Sequence, residues 1–142
     1  MERIEVERLV PAPRDKVWAI VSDHEGMRKW MPVREVVRRR PGSPDPNGVG
    51  AVRTIRGMGL VLEERITAFE PDERLEYVLT EGAPIRDHVG EVRLSSEGEG
   101  TRVRWTVRFE PIVPGTGWLL RAALKRGLEQ GLDGLVKRAA SG

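Results

Sequence analysis

Cysteine is absent from the 142-residue chain, and histidine occurs only twice. Without thiols the chain can form neither disulfides nor thiolate metal sites, which fits a reducing compartment such as the cytoplasm. His24 and His88 lie too far apart for a local metal-binding motif such as HExxH. Because charged residues follow Met1 directly, we also expect no signal peptide. The sequence therefore predicts a cytoplasmic protein with no metal and no other cofactor.

Long apolar runs and an excess of one charge are also lacking. No segment approaches the roughly 20 apolar residues that a membrane-spanning helix needs. The net charge is +2, from 24 basic and 22 acidic residues that are mixed along most of the chain. The basic run Arg38, Arg39 and Arg40 is more typical of a solvated strand end than of a nucleic-acid site. We expect neither nucleic-acid binding nor stable membrane insertion.

The longest helical pattern is the last one, from Pro114 to Ala139. Its leucines recur every three or four residues, which places them on one stripe of a helix. They are Leu120, Leu124, Leu128, Leu132 and Leu135. A helix of about 22 residues would span roughly 33 Å and could cross a small domain. The rest of the chain is therefore expected to fold around this stripe.

Three glycines, Gly127, Gly131 and Gly134, interrupt the same helical pattern. Each costs about 1 kcal/mol relative to alanine in a helix interior. On a helical wheel they group beside the leucine stripe. They are either surface glycines that packing tolerates or a flat strip that a strand or a ligand approaches closely.

The remaining chain reads as one strand, two short helices and six further strands. The first strand ends at Val10, a short helix follows Pro13, and a second short helix covers residues 23–30. The later strands are predicted at residues 33–40, 51–58, 60–69, 74–80, 87–95 and 101–111. In the last of them apolar and polar residues alternate, which is typical of an antiparallel strand with one wet face. Short turns between the strands favour a meander.

This order predicts a single α+β domain over residues 1–142. A seven-stranded antiparallel sheet would curve around, or grip, the long C-terminal helix. Aromatic residues make up only 5% of the chain, so we expect the space between sheet and helix to contain a cavity. The residues predicted to be largely buried in this core are Trp18, Val92, Trp105, Val107, Leu128 and Leu132.

Several segments carry a resemblance to a known family. They include Pro11-Ala12-Pro13 before Val17-Trp18, Asp23-His24-Glu25-Gly26 with Trp30-Met31-Pro32, Gly48-Val49-Gly50, Phe69-Glu70-Pro71, residues 90–94 and residues 100–103. With the element order, they make the chain similar to the START-like helix-grip (SRPBCC) superfamily, and to its bacterial polyketide cyclase/dehydrase and lipid-transport group. That resemblance implies a deep apolar cavity for a lipid, sterol-like or polyketide-like molecule. Some members of the group are enzymes, and many only bind and carry.

Charged residues on the apolar faces of strands are the candidate polar groups of such a cavity. By strand alternation, Arg8, Arg56 and Glu64 share a face with apolar neighbours and would project toward the concave side. Buried charges need partners, so Glu64 could pair with Arg8 or Arg56. A bulge at any of the three would instead turn that side chain outward.

His88 is the candidate acid–base group. It shares a face with Val92 and Leu94, whereas Asp87 points to the opposite face, so the two adjacent residues cannot easily act as a dyad. Two interpretations remain open for His88. It is either a hydrogen-bonded histidine at the cavity rim, or a general base or ligand contact.

The leading hypothesis is binding or carriage of a hydrophobic small molecule by a monomer or homodimer. The first alternative is a polyketide cyclase/dehydratase-like enzyme that uses His88, Arg56 and Glu64 to handle protons or orient the substrate. The second is a protein-interaction module with an apolar groove. The expected cavity lining is Trp30, Met31, Arg56, Glu64, Tyr77, His88, Trp105, Leu124, Gly127, Leu128 and Gly131.

Overall fold

In the computed structural model, which describes residues 1–141, the chain forms seven strands, two α-helices and one 3-10 helix. In chain order these are β1 (Glu2–Val10), α1 (Arg14–Val21), the 3-10 helix (Glu25–Lys29), β2 (Glu35–Arg40), β3 (Val52–Gly57), β4 (Leu60–Glu70), β5 (Arg74–Glu81), β6 (Ile85–Glu97), β7 (Gly100–Pro111) and α2 (Gly117–Ser141). The predicted α+β helix-grip fold is confirmed.

All seven strands form one antiparallel sheet in the order β1-β7-β6-β5-β4-β3-β2. Strands β2 to β7 pair in sequence order, which confirms the predicted meander, and β1 joins at the β7 edge. Helix α2 packs mainly against β1 and also contacts β7. Its first residue, Gly117, lies beside the Glu2 carboxylate, and Asp133 lies beside Arg8, so α2 runs in the same direction as β1.

The core lies between the concave face of the sheet and α2. The six residues predicted to be buried are all buried, with Leu132 1% and Trp105 2% exposed. The stripe of α2 is buried most deeply in its second half, because Leu120 and Leu124 are only partly covered. The first turns of α2 therefore reach past the packed core.

The helix glycines have two different environments. An added Cβ at Gly131 would overlap Sδ of Met31, and one at Gly134 would overlap the carbonyl oxygen of Trp30. The close approach is thus made by the segment after the 3-10 helix rather than by a strand. At Gly127, which is also buried, an added Cβ would meet no heavy atom within 4 Å, so this glycine borders open space.

Candidate functional site

A buried ion pair joins β3 and β4 in the interior, toward the β2 edge of the sheet. Arg53 on β3 stands directly opposite Glu64 on β4, and its Nε and Nη2 atoms lie 2.9 Å and 2.8 Å from Oε1 of Glu64. The two side chains are 3% and 9% exposed. Because a guanidinium stays charged in proteins, it can be buried here only with a carboxylate partner.

His24 extends this pair toward the loop between β2 and β3. Its Nδ1 accepts a hydrogen bond of 3.1 Å from Nη1 of Arg53, and its Nε2–H donates to the carbonyl oxygen of Asn47 at 2.8 Å. Burial and the adjacent Arg53 guanidinium lower the pKa of His24 to about 3. His24 is therefore a neutral structural link between the ion pair and this loop.

Tyr77 on β5 lies against the other side of the ion pair. The Arg53 guanidinium carbon is 5.0 Å from the centre of the tyrosine ring, a cation–π geometry. The Tyr77 hydroxyl accepts a hydrogen bond of 2.8 Å from the indole Nε1 of Trp105. Its ring lies over Gly90 of β6, where any Cβ would overlap it. Burial raises the pKa of Tyr77, so the hydroxyl stays protonated.

His88 lies where β5 and β6 separate. The cross-strand pairs between these strands end at Tyr77 and Gly90, and Nδ1 of His88 accepts the Leu79 backbone N–H at 2.9 Å instead. In the neutral ring the proton is therefore on Nε2. Burial lowers the pKa of His88, and its ring centre is 5.5 Å from that of Tyr77. A surface cavity of about 470 Å³ opens beside it and is lined by Met1, Val78, Leu79, Asp87, His88, Val89 and Arg108.

Trp30 contributes an unsatisfied donor to the same interior. Its side chain is 7% exposed, and its ring centre lies 6.1 Å from that of Trp105. Within residues 1–141, Trp30 Nε1 is the one fully buried side-chain nitrogen or oxygen that has no hydrogen-bond partner. A free indole N–H thus lies in the region where the segment after the 3-10 helix meets α2 and Trp105.

The structure brings together Glu64, Tyr77, His88 and Trp105, four of the predicted lining residues, but it does not place Arg56 with them. Arg56 is exposed and pairs with Glu35 on β2 at 3.5 Å, so its prediction as a cavity residue is wrong. The physical reason is the phase of β3, in which Ala51, Arg53 and Ile55 face the core.

The predicted partners of Glu64 are also wrong, because its partner is Arg53. Arg8 does lie on the side of the sheet that faces α2, but it is one-third exposed and pairs with Asp133 at 2.9 Å. The roles of Arg53 and His24 were missed. Arg53 shares its parity with Ala51 and Ile55, but Val52 has the opposite parity, so this signal was ambiguous. Nothing local to His24 indicates its distant partners.

The remaining predicted lining residues lie along the helix and the loop that faces it. Met31 lies against Gly131, and Trp105 Cζ3 is 3.5 Å from the same added Cβ. Leu128 is buried. Leu124 lies one turn before Leu128, and Gly127 lies one turn before Gly131, nearer the start of α2. Met31 therefore occupies the space beside Gly131, and the open space begins at Gly127.

No group of three or more histidine, cysteine, aspartate or glutamate side chains in residues 1–141 could hold a metal ion. None of the helices in this part combines the length and the apolar character needed to span a bilayer.

Comparison with known proteins identifies relatives of this fold. Residues 1–140 match the family model described as polyketide cyclase/dehydrase and lipid transport. No curated protein sequence matches the chain significantly. The chain is similar to a protein of Thermobifida fusca solved by NMR, with 26% identity, a TM-score of 0.83, and coverage of 99% of this chain and 95% of that one.

Two similar structures with lower identity show the fold alone. A START superfamily protein from Mycobacterium smegmatis is 15% identical with a TM-score of 0.84, over 98% of this chain and 97% of that one. The Zhui aromatase/cyclase from a Streptomyces species is 20% identical with a TM-score of 0.84, over 98% of this chain and 93% of that one. The match over residues 1–140 and the shared START-like fold establish that the chain belongs to the polyketide cyclase/dehydrase and lipid transport family, whose fold binds hydrophobic ligands.

Proposed function

We propose that this protein binds and carries a hydrophobic small molecule between the concave sheet face and α2, without transforming it. The observation that carries the proposal is the buried Trp30 indole N–H, which has no acceptor within residues 1–141. Leaving such a donor unpaired costs about 1–3 kcal/mol. A ligand that brings a carbonyl or hydroxyl oxygen to this position would recover that cost.

The surroundings of Trp30 suit an apolar molecule with one polar atom. The rings of Trp30 and Trp105 supply apolar walls, and open space borders Gly127 on α2. Ligand sites of this kind combine a mainly apolar lining with a few polar groups that set orientation. Met31 lies between these features and has a flexible side chain, so it can move aside when a ligand enters.

The arrangement favours binding over catalysis because most titratable groups of the interior are already engaged. Glu64 is held by Arg53, and His24 is held by Arg53 and Asn47. The Glu64 oxygen that faces Arg53 is occupied by the guanidinium, and a protonated tyrosine is a poor base at neutral pH.

His88 supports a second candidate function, the cyclase/dehydratase-like reaction. Its Nδ1 accepts the Leu79 N–H, and its lowered pKa keeps the ring neutral near pH 7. A neutral imidazole at the 470 Å³ surface cavity could orient a carbonyl group or exchange a proton with it. Turnover of a polyketide-like substrate that is lost on His88→Gln would favour this candidate over carriage.

The test of carriage uses Prodan, a neutral naphthalene dye that carries one ketone. We expect saturable binding by fluorescence and about a tenfold weaker affinity for Trp30→Phe, because that change removes the N–H but keeps an aromatic ring; tenfold corresponds to about 1.4 kcal/mol. Trp118→Phe is the matched control, since Trp118 is 71% exposed. Gly127→Leu should abolish binding by filling the open space.

Two outcomes would contradict the proposal. One is the absence of saturable Prodan binding to the wild-type protein, and the other is binding that Trp30→Phe and Gly127→Leu leave unchanged. Native mass spectrometry of the freshly purified protein provides an independent measurement, because a carried lipid or aromatic compound should appear as a discrete mass increment.

A further inference from the structure

One end of the sheet gathers several turns and the start of α2. Because neighbouring strands are antiparallel, the start of β1, the β3–β4 turn, the β5–β6 turn and the β7–α2 turn all lie at this end, which we call the turn end. The turns contact one another. The Ile112 N–H donates to the carbonyl oxygen of Pro84 at 3.0 Å, and Gly82 lies against the carbonyl oxygen of Val61. They form a continuous rim.

Exposed large apolar side chains are concentrated on this rim. Ten such residues are exposed in the described chain, and only Leu9 and Val49 lie at the opposite end of the sheet. The most exposed, Trp118, leaves 71% of its surface in water. The eight at the turn end are Met1, Met58, Leu60, Val61, Ile112, Val113, Trp118 and Leu119. Exposed apolar side chains that are grouped on one rim, rather than scattered singly, point to an interaction site.

Basic residues lie directly behind the apolar tip of α2. Trp118 and Leu119 are exposed on its first turn, and Lys125 and Arg126 are exposed seven or eight residues later, which is about 10–12 Å along the helix axis. Apolar groups of peripheral proteins enter about 5–10 Å, to the boundary between lipid headgroups and acyl chains, and α2 would enter with its first turn because it runs in the direction of β1. At that depth Lys125 and Arg126 would reach the level of the lipid phosphates.

Charge at the turn end is unevenly neutralised. Several acidic groups are paired, Glu35 with Arg56 and Glu110 with Arg86 and the amino group of Met1. Among residues 1–141, the acidic groups at this end that lack an ion-pair partner are Glu2, Glu63, Glu81 and Asp87, and the basic groups are Arg34, Arg108, Arg121, Lys125 and Arg126. Apart from the ion-paired residues, the surface of the turn end is therefore apolar and carries more basic than acidic groups.

We propose that the turn end docks on an anionic membrane surface. Apolar side chains that enter the interface and cations that meet anionic headgroups are the two contributions that together hold a peripheral protein on a bilayer. A symmetric dimer through this face would instead bring Lys125 and Arg126 of one copy near those of the other, which is unfavourable without acidic partners. An anionic bilayer can bury the apolar residues and also bind the basic ones through its headgroups.

The experiment is flotation of the full chain with vesicles of phosphatidylcholine alone or with 30 mol% phosphatidylglycerol. We expect at least tenfold tighter binding to the anionic vesicles and weaker binding at high salt. The double variant Trp118→Ser, Leu119→Ser should lose at least tenfold in affinity, and Lys125→Glu with Arg126→Glu should remove the preference for phosphatidylglycerol. Leu9→Ser, at the opposite end of the sheet, is the matched control.

Circular dichroism and thermal unfolding verify that each variant is folded. The proposal is overturned if wild-type protein floats with neither vesicle, or if the serine variant binds as tightly as wild type. It is also overturned if sedimentation shows a dimer that the serine variant dissociates, because the face would then be an interface between copies. Prodan binding is measured without vesicles, so failure of membrane docking and failure of ligand carriage give different results.

Discussion

Arg53 and Glu64 face each other across β3 and β4 inside the protein, with Nη2 and Nε of the guanidinium both bonded to Oε1 of the carboxylate. Two charges that are almost excluded from water depend on each other, since either one alone would be buried without compensation. The pair also orders its surroundings, because Arg53 donates to His24 and stacks on the Tyr77 ring.

Arg53→Met is therefore expected to destabilise the fold by about 3–5 kcal/mol, as measured by urea unfolding, because it leaves the Glu64 carboxylate buried and unpaired. Replacing both residues, Arg53→Met with Glu64→Leu, should restore much of this loss. Arg56→Met on the same strand is the control. Its pair with Glu35 is exposed, so less than about 1 kcal/mol should be lost. If Arg53→Met and Arg56→Met lower the free energy of unfolding equally, then leaving Glu64 without Arg53 carries no special cost and this account is wrong.

Protonation of His24 should make stability depend on pH. Because the folded-state pKa is about 3 and the ordinary value is 6.5, the unfolded chain binds a proton more readily than the folded one. The contribution of His24 is thus fully present above pH 6.5 and is lost as pH falls toward 3, at up to about 1.4 kcal/mol per pH unit. The pKa of His88 is also lowered, so His88→Asn is used as the background to isolate His24.

The measurement is urea unfolding at pH 7.5 and pH 5.0, a range that lies above the ordinary titration of carboxylates. In the His88→Asn background, His24→Gln should be less stable at pH 7.5 and show a smaller difference between the two pH values. If the difference is the same with and without His24, then His24 does not stay neutral in the folded protein.

Replacing a glycine of α2 by alanine is expected to have opposite effects on stability at Gly134 and at Gly127. Gly134→Ala should destabilise the protein by about 1–3 kcal/mol, because the new methyl group would overlap the Trp30 carbonyl oxygen and force the backbone apart. Gly127→Ala is expected to stabilise it by about 1 kcal/mol, since alanine favours the helix and no atom lies within 4 Å of the new Cβ. Thermal unfolding of the two variants gives the comparison, and a shift of the same sign in both would contradict this account.

Alternation of apolar and polar residues predicts the inward face of β7 correctly but not that of β3. In β7, Val103, Trp105 and Val107 alternate with polar residues, and all three are buried as predicted. In β3 the apolar residues Val52 and Ile55 have opposite parity, so the pattern does not define an inward face. A slip of one residue exchanges the two faces of a strand, and this is why Arg56 was placed inside.

The interior contacts are long-range and carry no local signal. His24 meets Asn47 across 23 positions of the chain, and Trp105 donates to Tyr77 across 28. The role of His24 depends on where the loop after β2 returns to the core. Nothing near His24 in the sequence specifies that path.

The sequence by itself determined the kinds of elements, their order and the antiparallel meander, because these follow from local periodicity, turn residues and short connections. It also determined that Leu132 and Leu135 would face a core, since no other surface could cover them. Only the tertiary structure decided which arginine is buried with Glu64, and that the Trp30 N–H is left without a partner. Those outcomes depend on strand register and on desolvation between distant segments, and both arise only when the sheet has closed on α2.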